Sequence, residues 1–248
     1  MNISIRLAIS SLFMLTFAQL SQAECSDVSR SEFEAQARLA VSATNVFGFG
    51  LPMWVTMVDE TGKVCHVYAT NGNDDLGGAK AGNSAWLGSR IISAQKANTA
   101  NAFSLDGLSL ATGSIYATVV PGGSLYGLQH SNPVDASKAY GGSPVSYGKN
   151  SDFLKNKRIG GVNVFGGGVA LYKGGVKVGA VGASGDTSCR DHTVAYSLRR
   201  NLGLNEFTGA PGYAVDVLHL VATPAALGDS PICGVNDPKT ADNVGIIF

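Results

Sequence analysis

The sequence predicts an α+β domain in which helices lie beside hairpin-connected strands. A capped segment near the start has apolar residues at helical spacing, and alternating apolar runs further on are joined by short turns. The 32 glycines have no collagen-like period and cluster at turns and strand ends. These features are typical of a packed domain and not of a disordered chain.

The length and composition limit both the domain count and the class of partner. The chain of 248 residues is long enough for one sizeable core, which we expect at about 31–203 within a single domain at 24–248, with a C-terminal extension at 204–248. Its 18 Lys and Arg balance 18 Asp and Glu, so no nucleic-acid partner is expected. Charged residues make up 15%, which favours buried or subunit-facing surface.

Residues 1–23 are typical of a secretory signal peptide. Arg6 precedes a largely apolar stretch from Leu7 to Leu20, and Ser21-Gln22-Ala23 offers a cleavage site. We therefore expect a periplasmic or secreted protein. An uncleaved membrane anchor is the alternative.

Four cysteines follow the signal peptide, and an even number in an exported chain predicts two disulfides. Three pairings exist. We favour Cys189 with Cys233 and Cys25 with Cys65, because each bond would tie a terminal segment to the core. A zinc site is disfavoured, since the chain has no C-x-x-C or C-x-x-H spacing.

The first half of the predicted core is a helix followed by a hairpin. A capping box at Ser29-Arg30-Ser31-Glu32 begins a helix expected over Ser31 to Phe47. Two strands follow, from Leu51 to Val58 and from Lys63 to Ala69, and Asp59-Glu60-Thr61-Gly62 is their turn.

A second helix is expected from about Ser84 to Ser104, a third strand from Ser114 to Val120 and a long loop from Ser124 to Arg158. Lys96 lies in the helix among small residues. Its side chain either stays on a solvated face or leans into a cleft and meets an anion.

The long loop carries the candidate iron ligands, because loops of this length are often functional. His130 and, as an alternative, Tyr126 are of types that bind haem iron. The structural alternative is that His130 caps a turn and Tyr126 packs.

A second hairpin and a third helix follow the loop. Val169 to Tyr172 and Val176 to Val181 flank a Gly174-Gly175 turn, and the helix is expected over Thr187 to Arg200. The glycine-rich exit at Gly182 to Thr187 predicts exposed main-chain amides that receive an anion. The alternative is that Asp186 or Thr187 caps the helix internally.

Three enzyme or cofactor classes find no support here. A serine nucleophile elbow at Ser184 would need glycine where Asp186 stands, and neither the phosphate-binding loop nor the dinucleotide glycine pattern occurs. The spacing of Asp186 and Asp191 would not place them on one helix face, so they do not indicate a glycosidase pair.

In the C-terminal extension, the apolar run from Ala214 to Val221 is either a strand or a short helix.

Four motifs in order resemble the GlcG/HbpS family of haem-binding-like proteins, which includes the C-terminal domain of PduO-type proteins. They are MWVTMVDETGK at 53–63, QKANTA at 95–100, GGV at 167–169 and VGAVGASG at 178–185, followed by Asp191. The resemblance covers about Phe33 to Gly203.

The resemblance implies a profilin-like fold, with a five-stranded antiparallel sheet flanked by helices, here extended by the long loop insertion and the C-terminal tail. It also implies self-association. By similarity, the residues near the family's pocket are Lys96, Thr99, Gly182, Ser184, Gly185 and Asp191.

Two functional hypotheses follow. The first is an exported binding protein for haem or a related small anionic ligand, acting as a sensor or uptake accessory with a membrane sensor or transporter as partner. The alternative is an enzyme or accessory protein acting on a small hydroxy acid or alcohol-derived metabolite, with Lys96 and Asp191 as its polar groups. A structural subunit of a homo-oligomer is a third interpretation.

Overall fold

The computed structural model describes residues 25–44, 48–71, 84–210 and 212–234. The predicted signal peptide lies outside these residues, as does the predicted end of the first helix at Phe47. In chain order the helices are α1 (Arg30–Ala43), α2 (Ser89–Phe103), α3 (Tyr116–Val119), α4 (Leu128–Ser131), α5 (Ala136–Ala139) and α6 (Ser188–Asn201). The strands are β1 (Trp54–Asp59), β2 (Val64–Ala69), β3 (Ser109–Leu110), β4 (Gly168–Lys173), β5 (Val176–Ser184), β6 (Ala214–Val215), β7 (His219–Val221) and β8 (Asp229–Pro231).

The central sheet has four antiparallel strands in the order β2-β1-β5-β4. It contains both predicted hairpins, β1–β2 and β4–β5, and the register between them pairs Trp54 with Ser184. Every residue of β1 is buried, because helices cover both faces of the sheet. The sheet thus brings the end of β5 between two helical layers.

The two layers follow from the amphipathic faces of the helices. On one side α2 presents the small residues Ala94, Ala97 and Ala100 to the sheet. On the other side α1 and α6 pack together, with Phe33 and Leu198 fully buried. The first helix begins as predicted, since the Ser29 hydroxyl accepts a hydrogen bond from the Glu32 N–H.

The prediction of a strand from Ser114 to Val120 is wrong, and the central sheet in the described part of the chain has four strands, not five. Gly113–Ile115 forms a 3₁₀ turn that continues into α3. Ile115 and Val119 lie four residues apart and bury their side chains in one small cluster with Val164. The apolar residues of this segment therefore pack on one helical face, and their β-propensity is overridden by tertiary contacts.

The segment from Ser124 to Arg158 is not a structureless loop, because α4, α5 and a 3₁₀ turn at Pro144–Ser146 lie within it. It is held to α2 by a buried ion pair, in which Arg90 Nε lies 2.9 Å from Asp152 Oδ2. The same guanidinium lies 3.7 Å from the ring centre of Tyr147. Arg90 thus fixes the insertion against the domain core.

The C-terminal extension adds two short parallel pairs, β3–β6 and β7–β8. The run from Ala214 to Val221 is therefore two strands separated by a bend. Disulfides join Cys25 to Cys65 and Cys189 to Cys233, the pairs that the sequence analysis favours. None of the described helices is both long and apolar enough to cross a bilayer.

Candidate functional site

Most of the predicted pocket residues come together where β5 leaves the sheet. Lys96 comes from the middle of α2, Gly182 and Ser184 from the end of β5, and Asp191 from the first turn of α6. A Cβ on Gly182 would lie 2.0 Å from the Ser93 carbonyl oxygen, so glycine is required for α2 to approach the strand this closely.

Lys96 leans inward and meets the chain's own carboxylate. Its Nζ lies 2.7 Å from Asp191 Oδ2 and also donates to the Ala183 carbonyl at 3.1 Å. Lys96 is 1% exposed and Asp191 3% exposed. Burial raises the pKa of Asp191 to about 6, and the neighbouring Lys96 charge opposes that rise.

A second buried ion pair lies directly beside the first. The Asp186 carboxylate accepts hydrogen bonds from the N–H groups of Phe49 and Leu51, each at 2.9 Å, and from Arg190 Nη1 at 2.6 Å. Arg190 also donates to the Thr44 carbonyl, which fixes the end of α1. The four charges of the two pairs cancel.

The prediction of exposed amides at Gly182 to Thr187 is wrong. The Asp186 N–H donates to Asp191 Oδ1 at 2.9 Å, and the Thr187 N–H donates to Asp186 Oδ1 at 2.7 Å. The Ala183 N–H donates to the Gly167 carbonyl. The chain therefore fills this anion site with its own carboxylates, and Thr187 caps α6 internally by accepting from the Arg190 N–H.

The remaining predicted pocket residues are buried in structural contacts. Thr99 Oγ1 donates to the Gln95 carbonyl at 2.8 Å and accepts from the Asn163 N–H at 3.0 Å, which ties α2 to the segment before β4. Gly185 has a φ of +151°, and a Cβ there would lie 2.8 Å from the Pro52 carbonyl oxygen. Their role in ligand binding stays a prediction.

A surface cleft of about 360 Å³ opens next to these buried pairs. Its lining residues come from α3, the segment before β4, the start of α6 and the C-terminal extension; they are Tyr116, Val164, Phe165, Gly166, Thr187, Ser188, Ser230, Pro231, Ile232 and Cys233. Phe165 and Ile232 are 51% and 41% exposed. The walls thus combine exposed apolar side chains with polar groups at the helix start.

The floor of the cleft is one residue away from the first ion pair. Gly166 lines the cleft, and a Cβ on the next residue, Gly167, would lie 3.0 Å from Lys96 Nζ. The glycines before β4 therefore let the backbone pass between the cleft and the Lys96–Asp191 pair without side chains. The buried pairs support the cleft, and they do not line it.

His192 lies beneath this floor and is fully buried. Neither ring nitrogen has a hydrogen-bond partner among the described residues, although the backbone of Asp216 approaches the ring. A Cβ on Gly166 would lie 3.2 Å from His192 Cβ. Burial lowers the pKa of His192 to about 4, so the imidazole is neutral at pH 7.

Neither predicted iron ligand lines the cleft. His130 lies on α4 with an exposed side chain, and Tyr126, just before that helix, is 63% exposed. Sequence reasoning missed the walls that Phe165 and residues 230–233 provide. The predicted pairing of Cys189 with Cys233 was the signal in the sequence for these walls, because it places the C-terminal extension at the start of α6.

Two other places can be set aside. A larger surface pocket of about 620 Å³ is lined by polar and charged residues of α1 and of residues 149–151. None of these residues belongs to the glycine-rich segment 182–187. Within the described ranges, Cys25, Asp59 and Cys65 form the one cluster of three residues of metal-binding type, but both sulfurs are in a disulfide.

Residues 34–198 match the family described as haem degrading protein HbpS-like. The chain belongs to the HbpS-like family. The matched region includes all of the central sheet, both buried ion pairs and the cleft wall except for residues 230–233.

Similar folds occur among solved structures. The Klebsiella pneumoniae protein ORFY is 20% identical, with 81% of this chain and 100% of that chain covered and a TM-score of 0.49. A PduOC–haem complex is 22% identical, with 73% and 99% covered and a TM-score of 0.48. A double mutant of Streptomyces reticuli HbpS is 14% identical, with 80% and 97% covered and a TM-score of 0.43. No curated protein matches the chain.

Proposed function

We propose that this HbpS-like protein is an exported binding protein for haem, and that the cleft at the start of α6 holds the ligand. The observation that carries the proposal is the cleft itself, which combines an apolar wall with a helix start inside the family-matched region. Ligand sites are commonly concave, mainly apolar and supplied with a few polar groups.

The charges around the cleft favour haem over a small free anion. The carboxylates of Asp186 and Asp191 neutralise Arg190 and Lys96, so no net positive side-chain charge remains for a bare anion. An apolar porphyrin face suits Phe165 and Ile232. Its propionates would meet the polar side chains of the cleft, because the Asp186 and Asp191 carboxylates already accept from the main-chain amides at the start of α6.

The residues present fit haem as a ligand of an open cleft. Phe165, Val164 and Pro231 offer apolar contact, and Ser188 offers a hydroxyl for a propionate. Tyr116 is the lining residue of a type that binds haem iron. His130 and Tyr126 stay predicted as iron ligands from the neighbouring insertion, and single substitutions to Ala and Phe respectively separate them from Tyr116.

A hemin titration of the mature, oxidised protein tests the proposal. We expect a Soret shift that saturates at one hemin per chain. Phe165→Asp places a charge on the exposed apolar wall and is expected to weaken binding at least tenfold, equivalent to about 1.4 kcal/mol. Tyr140→Asp is the matched control, because Tyr140 is an aromatic residue 66% exposed outside the cleft.

Two results would overturn the proposal. One is a titration without saturation at one hemin per chain, which indicates nonspecific adsorption. The other is an unchanged affinity in Phe165→Asp, which would move the ligand away from this cleft.

The wider parts of the proposal concern location and partners. The two disulfides support a periplasmic or secreted protein, because such bonds persist in oxidising compartments. Self-association and a membrane sensor or transporter as partner are further proposals. Native mass spectrometry of protein isolated from the periplasm tests both the subunit number and the bound ligand.

The alternative of an enzyme acting on a small hydroxy acid has no support from this geometry. Lys96 and Asp191 are bonded to each other and buried, so this arrangement presents neither group to a substrate. General acid–base catalysis requires direct hydrogen-bond contact with the reacting group or contact through one water.

A further inference from the structure

Each disulfide joins a partly exposed cysteine to a buried one, and the bond from Cys189 to Cys233 forms part of the cleft. Cys233 lines the cleft and is partly exposed, whereas its partner Cys189 is fully buried in the first turn of α6. In the other bond, Cys65 is buried near the start of β2, and Cys25 is partly exposed with its Sγ 3.9 Å from the carboxylate of Asp59.

The bond from Cys189 to Cys233 holds a segment that we term the strap, residues 219–233. Many of its hydrogen bonds are internal: Asp229 accepts from the N–H groups of Ala225 and Ala226, and its carboxylate lies 2.9 Å from His219 Nδ1. The strap contacts the domain through the buried side chains of Leu220 and Ser230, through β8, which packs on the 3₁₀ turn and α3, and through the Gly228 N–H, which donates to the Ser114 carbonyl.

The strap supplies one complete wall of the cleft, namely residues 230–233. This wall lies at the end of the strap where the disulfide is formed, and Cys233 Sγ also lies 3.2 Å from Ser188 Oγ. Without the covalent bond, residues 232 and 233 would depend on the non-covalent contacts that β8 makes with the 3₁₀ turn and α3. The shape of the cleft is therefore coupled to this disulfide.

We propose that the Cys189–Cys233 disulfide is a thiol-exchange site for a dithiol reductant, and that its opening releases the ligand by freeing the strap. The ligand part of this inference rests on the proposed haem-binding function. The conformational part does not.

Reduction of this disulfide by a dithiol proceeds in two exchange steps. A thiolate of the reductant attacks Cys233 Sγ, the sulfur that the cleft exposes, and forms a mixed disulfide while Cys189 leaves as a thiolate. The second thiol of the reductant then displaces Cys233, so two thiols are oxidised to a disulfide and two protein cysteines are reduced.

The position of Cys189 favours this direction of attack. The departing thiolate forms in the first turn of a 14-residue helix, where the peptide dipoles stabilise negative charge; the Asp186 and Asp191 carboxylates beside it are paired with Arg190 and Lys96. In the other disulfide the buried Cys65 lies in strand β2, where no helix dipole acts on a departing thiolate, and the nearby Asp59 carboxylate is paired with Lys63, whose Nζ lies 3.2 Å from its Oδ2. The two bonds should therefore differ in their rates of reduction.

The first experiment measures reduction without any ligand. The oxidised protein is treated with dithiothreitol, quenched with an alkylating reagent at intervals and analysed by peptide mass spectrometry. We expect Cys189 and Cys233 to be labelled at least tenfold faster than Cys25 and Cys65. Equal rates, or the reverse order, would refute the exchange site.

The second experiment uses two double variants with matched loops. One is Cys189→Ala with Cys233→Ala, and the control is Cys25→Ala with Cys65→Ala; the sequence separations of the two native bonds are 44 and 40. Hydrogen exchange should rise in residues 219–233 of the first variant and not of the control. Unchanged exchange there would refute the release of the strap.

Hemin titration of the same variants tests the functional consequence. We expect the variant without Cys189 and Cys233 to bind hemin at least tenfold more weakly, with the control unchanged. If oxidised wild-type protein binds hemin and both variants bind equally well, this inference fails and the proposed function stands. If wild-type protein fails to bind hemin, the proposed function fails, while the labelling and exchange results still decide the thiol-exchange site.

Discussion

Replacing Lys96 by methionine should test whether the buried ion pair supports the candidate site. The substitution keeps the length and apolar stem of the side chain but removes the ammonium group, 2.7 Å from Asp191 Oδ2. Asp191 then keeps a hydrogen bond from the Asp186 N–H but no counter-ion from α2. Breaking one partner of a buried pair costs about 3–5 kcal/mol.

Proton uptake sets an upper limit on this loss. Asp191 escapes its uncompensated charge by binding a proton, and each pH unit between the ambient pH and the wild-type folded pKa costs about 1.4 kcal/mol. The folded pKa in the wild type is about 6, so the limit at pH 7 is about 1.4 kcal/mol. Below pH 6 the wild-type carboxyl is itself mostly protonated, so the loss should shrink towards zero at pH 5.

Urea unfolding at both pH values, completed as a double-mutant cycle with Asp191→Asn, measures the effect. The double variant should lose much less stability than the sum of the single variants, because neither charge is left alone. Lys138→Met is the matched control, since Lys138 pairs with Asp135 at the surface, and no measurable loss is expected. Additive losses, or a Lys96→Met loss that does not shrink between pH 7 and pH 5, would refute the buried-pair reasoning.

Three further predictions concern packing, cross-linking and titration. Gly182→Ala should destabilise by more than about 1–3 kcal/mol in thermal unfolding, because its Cβ would clash with backbone 2.0 Å away, whereas Gly88→Ala meets nothing within 4 Å and should be neutral or stabilising. Removing the Cys189–Cys233 bond should cost about 4 kcal/mol by the chain-entropy relation for a separation of 44 residues, and a loss under about 1 kcal/mol in urea unfolding would contradict it. Because the pKa of His192 is lowered in the folded state, its contribution to stability is present above the unfolded pKa of 6.5 and is lost as the pH falls towards 4. The stability of His192→Leu relative to wild type should therefore rise by about 2 kcal/mol between pH 7 and pH 4.5. A stability difference that stays constant over this pH range would contradict the reasoning.

The local elements could be predicted where short-range signals agree. The capping box at Ser29 starts α1, and the Gly174-Gly175 turn joins β4 to β5. In each case the residues that determine the conformation lie within a few positions of it. The strand expected at Ser114 to Val120 failed for the opposite reason, because its apolar residues pack against Val164, far along the chain.

The buried cluster around Lys96 was predictable in its membership more than in its chemistry, whereas the residues that line the cleft were not predicted. Lys96, Gly182 and Asp191 do meet, as the resemblance to the family implies. Which partner fills the anion site could not be read from spacing, because Asp186 and Asp191 reach the amides only through the close turn between β5 and α6. The close turn between β5 and α6 therefore places a buried ion-pair network where the sequence predicted a ligand pocket.

The sequence by itself determined the starts of α1 and α6 and the two hairpins, since these depend on residues close together in the chain, and its four ordered motifs indicated the HbpS-like family. The second helix, expected from about Ser84, begins at Ser89. The tertiary structure alone decided that the amides bind the chain's own carboxylates and that an apolar cleft opens beside them. It did so because the cleft walls come from α3, the segment before β4, α6 and the C-terminal extension, which meet only after the sheet and its helices have packed.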